Sequence, residues 1–109
     1  MEPRLPARLE VSGLIRAVEA AGGHAMVLAK GEADAGTIVV VLCEKGDNSK
    51  LYERMPGLDG KRGWHLTKRH DPENPQQFSE YLARRRAQDR DLWIVELDIA
   101  NGERFIGLP

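Results

Sequence analysis

Apolar positions recur along this chain with two different periods. Val11, Leu14, Ile15, Val18 and Ala21 fall on one helical stripe, with Arg16 and Glu19 on the other side. Gly22-Gly23 then supplies a stop, because glycine tolerates the left-handed conformation that ends helices. This predicts a first helix over 11–22. A glycine inside a helix costs about 1 kcal/mol relative to alanine, so the start is expected near Gly13. Residues 1–7, with two prolines, read as a flexible lead-in, and residues 8–109 as one domain.

Beyond Gly23 the period shortens. His24 to Lys30 reads as a strand, and Gly31 to Gly36 as a glycine-bounded loop. Thr37 to Cys43 is β-branched and apolar at both alternations, the pattern of a central strand covered on both faces. Lys45 to Ser49 is a polar turn, and Lys50 to Met55 would complete a hairpin. After the break at Pro56 to Gly60, Lys61 to Lys68 predicts a fourth strand, with Trp64 and Leu66 on one side and His65 and Thr67 on the other. Asn74 can cap a second helix over 75–88, with Pro75 in its first position. Phe78, Tyr81 and Leu82 form its buried stripe, and Arg84, Arg85 and Arg86 suit its negative end. Leu92 to Asp98 is a fifth strand. Asn101-Gly102 is a hairpin signal that would turn the chain into a sixth, Glu103 to Ile106.

These elements predict an α+β domain in the order αββββαββ. A mostly antiparallel sheet of about five to six strands would carry both helices on one face. The expected core is Leu14, Ile15, Val18, Val27, Ile38, Val40, Leu42, Leu51, Trp64, Phe78, Leu82, Trp93, Val95 and Leu97.

Length and charge narrow the function classes. A chain of 109 residues suits one domain with an ordinary core and leaves little room for a deep cleft between domains. Sixteen basic and seventeen acidic side chains nearly cancel, which argues against a polyelectrolyte built for nucleic acid or membrane. The longest apolar run, Ile38 to Cys43, is far short of the roughly 20 residues of a membrane helix. The single cysteine excludes an intrachain disulfide and fits a cytoplasmic setting.

Two segments carry a resemblance. Gly31-Glu32-Ala33-Asp34-Ala35-Gly36 before an apolar strand resembles the Gly-Asp-Pro-Asp-Ala-Gly segment of a small, chiefly alphaproteobacterial family, domain of unknown function 1491. Asp91-Leu92-Trp93-Ile94-Val95-Glu96 is similar to its Asp-Leu-Trp-Val-Val-Glu segment, and the helix with Tyr81 and Arg84 is similar too. The likeness runs from about Arg8 to Phe105. It implies a fold and no activity. The chain departs from the family pattern at Glu32-Ala33 and at Arg90, and near Arg86 and Gln88.

Candidate chemistry is sparse. Cys43 could be a nucleophile only with a base and a positive environment, yet Glu44 beside it disfavours thiolate. His24, His65 and His70, with Asp71 or Cys43, lack metal-ligand spacing, and no metal or other cofactor is expected. Glu32 and Asp34 could do acid–base work, with His24 as a third group, or simply shape a turn. The most suggestive surface is basic and aromatic: Lys61, Arg62, His65, Lys68 and Arg69, extended by Arg84 to Arg86, which could stack bases and contact phosphates. Against it stand Glu80, Asp89 and Asp91, and the lack of an RNA-recognition consensus. The leading expectation is a non-catalytic binding or protein-interaction module, homodimeric or docking a partner through a sheet edge. Weak nucleic-acid binding through 61–70 and 84–86, or a small enzyme using the 31–36 carboxylates, are the alternatives.

Overall fold

The computed structural model describes residues 5–56, 58 and 62–109. They form helix α1 (Ala7–Ala20), strands β1 (His24–Ala29), β2 (Ile38–Glu44), β3 (Asp47–Pro56) and β4 (Arg62–Arg69), helix α2 (Gln76–Gln88) and strand β5 (Trp93–Asp98). A short 3-10 helix, Gly102–Ile106, follows. The fold is α+β, with a five-stranded sheet in the order β1-β5-β2-β3-β4. Three neighbouring pairs are antiparallel, and β2 with β5 is parallel.

The expected sixth strand is instead the 3-10 helix. The reason is topological. β5 enters the sheet between β1 and β2, so neither of its sides is left for a hairpin partner. Asn101 does take the left-handed conformation that the hairpin signal implied, at φ 55°. The chain then curls and buries Ile106 under the sheet, with Phe105 and Leu108 packed beside it.

The two helices lie on opposite faces, not on one. Ile38, Val40 and Leu42 of β2 meet Val11 and Val18 of α1, together with Trp93, Val95 and Leu97. Val39 and Val41 point the other way, into a second cluster with Leu51, Ile94, Leu92 and Phe78 of α2. A strand that is apolar at every position needs cover on both sides, since leaving either alternation in water forfeits about 1.5–3 kcal/mol per large side chain.

Helix α1 begins at Ala7, six residues before Gly13. Its first amides would be orphans in isolation. Here the N–H of Ala7 donates to the Asp34 carbonyl and that of Arg8 to the Ala33 carbonyl, both at 2.9 Å. The 31–36 loop therefore caps the helix. Gly13 faces open space. Helix α2 is capped through the Asn74 carbonyl, which accepts from Gln77 N–H at 3.1 Å, without the expected Asn74 side-chain cap.

Most of the expected core is interior, with one clear correction. Val27 is 38% exposed, because β1 is an edge strand whose outer part reaches past the cover of α1. Leu14, Ile15, Trp64 and Leu82 are half-buried at the margins of the two clusters.

Candidate functional site

The glycine-bounded loop is a structural joint. Glu32 donates its N–H to the Asp91 carbonyl at 3.0 Å, and its carbonyl accepts from the Trp93 indole N–H at 2.7 Å. Its carboxylate turns inward and accepts from the amides of Asp34 and Ala35. A side chain at Gly31 or Gly36 would collide with the Asp91 carbonyl, which is why glycine stands at both ends. Asp34 pairs with Arg8 at 2.6 Å on the surface. The two carboxylates thus shape the turn and its junction with α1, and His24 lies elsewhere, at the start of β1.

Cys43 is buried near the end of β2, 3.6 Å from the Glu96 carboxylate, to which its S–H donates. Burial pushes the thiol up to about 12, with the charges of Glu96 and Asp98 adding to the effect and the Gly46 amide opposing it. Asp98 itself is held by the β2–β3 turn, accepting from Lys45 N–H at 2.6 Å and Gly46 N–H at 3.0 Å. Lys45 and Gly46 both take positive φ there, as a tight hairpin turn requires. This environment opposes a nucleophilic thiolate.

The basic strand is divided by a bulge. β3 and β4 lose register between Leu51 and Tyr52, where Thr67 is the extra residue. His65 and Lys68 lie on the α2 face, and Arg69 lies toward the 3-10 helix. Lys68 and Arg84 approach the Tyr81 ring, at 5.1 and 6.0 Å. Arg85 is drawn inward onto Glu53 at 2.6 Å, and Glu53 also accepts from Thr67 at 2.7 Å. Arg62 reaches the Arg54 carbonyl at 3.4 Å. Lys61 lies outside the described residues. The expected patch is therefore not one continuous surface among the described residues. His70 sets its ring edge against Phe78, and no group of three or more His, Cys, Asp or Glu among the described residues is disposed to hold a metal.

A cleft of about 360 Å³ brings Arg69, His70 and Cys43, which the sequence singled out, together with Asn48, Lys50, Asn101 and Glu103, which it did not. It opens at the C-terminal ends of β2, β4 and β5, which run in the same direction. Its walls include Asn48, Lys50, Arg69, His70, Asn101 and Glu103. Lys50 and the Tyr52 hydroxyl both donate to the same Glu103 oxygen at 3.1 Å. The Glu103 carboxyl is held below the usual carboxylate range, first by its own backbone N–H and then by Lys50 and Tyr52, while burial opposes this. Burial and Glu103 push the Tyr52 hydroxyl up, and Arg69 nearby opposes them. No local pattern announces this cleft, because its walls come from segments up to 61 residues apart in the chain, from Leu42 to Glu103.

The opposite margin of the molecule is apolar. Met26, Val27 and Leu28 stand exposed in succession on edge strand β1.

Comparison with known proteins places this arrangement in a family. Residues 5–107 match the family described as Protein of unknown function (DUF1491). No curated protein matches the chain. Among solved structures, a DUF1491 family protein from Caulobacter crescentus CB15 is similar in its crystal structure, with a TM-score of 0.76 and 29% identity, over 97% of this chain and 98% of that one. An NMR structure of a DUF1491 family protein from the same organism gives a TM-score of 0.79 at 29% identity, over 99% and 97% of the two chains. The solution structure of protein Atu0922 from A. tumefaciens gives 0.76 at 30% identity, over 97% and 95%. With residues 5–107 matched by the family model, this chain belongs to the DUF1491 family, whose description assigns no activity.

Proposed function

We propose that this chain is a small non-catalytic protein-interaction module, that β1 is its docking edge, and that the occupant of this edge is a second copy of the chain. The observation that carries the reading is the difference between the two sheet edges. β4, at one side, presents Arg62, Lys68 and Arg69, the charged guard that keeps an edge from pairing. β1, at the other, has no charged residue from Ala25 to Ala29, and Met26 is 59% exposed and Leu28 40%. An unguarded strand with an apolar middle is self-complementary. Antiparallel pairing about Val27 would set Met26 against Leu28 and extend both sheets. The non-catalytic part of the reading is supported by the protonated thiol of Cys43 and by the structural engagement of Glu32 and Asp34.

Sedimentation analysis over a wide concentration range tests it, with Val27→Lys as the probe. Val27 is partly solvated, so the substitution leaves the core intact. The expected result is a concentration-dependent dimer that Val27→Lys abolishes, with circular dichroism unchanged. A chain that stays monomeric throughout, or a dimer indifferent to the substitution, overturns the reading.

A further inference from the structure

We infer that the cleft at the C-terminal ends of β2, β4 and β5 is a binding site for a small organic phosphate, with Arg69 as its anchoring residue. The inference stands apart from the β1 edge, which lies across the sheet from β4.

The charges of the cleft lead to it. Lys50 and Glu103 neutralise one another at 3.1 Å, and Tyr52 completes the same carboxylate oxygen. Arg69 lines the cleft beside them and holds no ion pair and no side-chain hydrogen bond among the described residues. A guanidinium offers five N–H donors in a planar fork that matches phosphate or carboxylate oxygens two at a time. Asn48, Ser49 and Asn101 also line the cleft, and their amide and hydroxyl groups can donate. A phosphate ester presents three non-bridging oxygens to such a ring and a carboxylate only two, so the donor set favours phosphate. Leu42 and Ile99 supply an apolar floor for the organic part. The volume of about 360 Å³ sits at the small end of ligand pockets, which run from about 300 to 1,000 Å³. Glu44 also lines the cleft, two strands away from Arg69 in the sheet, so the anion is assigned to the Arg69 end.

Backbone amide NMR titration of the full chain tests this with inorganic phosphate and phenyl phosphate, and with acetate as the carboxylate arm. Saturable shifts confined to residues 48–50, 69–70 and 101–103 are expected with both phosphates, and weaker ones with acetate. Arg69 is exposed, so Arg69→Gln should keep the melting temperature while weakening phosphate about tenfold or more, the loss of a charge-assisted hydrogen bond. Arg69→Lys should fall between, because it keeps the charge and loses the fork. Lys68→Gln, on the other face, should bind as the parent does. Scattered or absent shifts overturn the site. Equal binding by Arg69→Gln, or an equal loss in Lys68→Gln, overturns the anchoring role. Acetate binding as tightly as phosphate overturns the ligand class.

Discussion

At the scale of single residues, Gly13 shows how little of a glycine's meaning lies in the sequence. In a helical pattern it reads as a start signal. In the fold it sits in mid-helix on the solvent side, with nothing within 4 Å of where a Cβ would stand. Only the unfavourable propensity remains. Gly13→Ala should therefore stabilise the protein by about 0.5–1 kcal/mol, read as a higher urea midpoint at unchanged slope. Gly31 is the opposite case, because its Cβ would strike the Asp91 backbone. Cys43 carries a pH consequence. Its thiol is raised from the ordinary 9.0 to about 12, so the native state holds the proton more tightly than the unfolded chain does. That contribution is intact below pH 9.0 and is lost as pH rises toward 12. Urea titrations from about pH 8 to 10 should show stability falling, and Cys43→Ala should flatten the fall. A residual slope is expected, because Tyr52 and Tyr81 are also raised, mainly by burial. An Ellman reagent that labels Cys43 rapidly in the folded state would contradict this account.

At the scale of elements, the joints between segments were the part hidden from the sequence. The strands themselves were legible: the β-branched run at Thr37 to Cys43 announces β2, and the alternation of Trp64, Leu66 against His65, Thr67 announces β4. What attaches α1 to the far side of the sheet was not. Glu10 and Arg54 lie 44 residues apart and meet in a two-pronged pair at 2.8 and 2.6 Å. The same guanidinium covers the Trp64 ring at 4.7 Å. One arginine of β3 thus ties α1 to β4. Charge alone does not make this contact, since the planar fork and its stacking face both matter. Arg54→Lys should accordingly cost about 1–2 kcal/mol in chemical denaturation despite keeping the charge. An Arg54→Lys variant as stable as its parent would reduce the contact to a solvated surface pair. The cleft was hidden for the same reason. Glu103 reads locally as the start of a strand, and only the curl after β5 carries it back to Lys50 and Tyr52.

At the scale of the whole molecule, the decisive fact is that β5 enters beside β2 and not at an edge. Sequence patterns report burial but not neighbours. The apolar run of β2 from Ile38 to Cys43 foretold its central place and its cover on both faces, yet nothing local said that β5 would separate it from β1. That insertion makes β2 and β5 inseparable from the global fold. Val40, Val95 and Leu97 lie under α1, Val39, Val41 and Ile94 lie toward α2, and each strand has a partner on both sides. Opening either requires both clusters to come apart. β1 is held on one side only, and a register shift between Val27 and Ala29 weakens even that ladder. Native-state hydrogen exchange should therefore rank the amides of Val40, Val41, Val95 and Leu97 at the global unfolding free energy, with those of Met26 and Val27 opening well below it. Self-association adds a sharper requirement. Pairing at β1 protects only the molecules in the dimer, so β1 protection should climb with protein concentration while that of β2 and β5 rises only with global stability. Protection of β1 that stays low at every concentration would leave the edge open to solvent and remove the dimer with it.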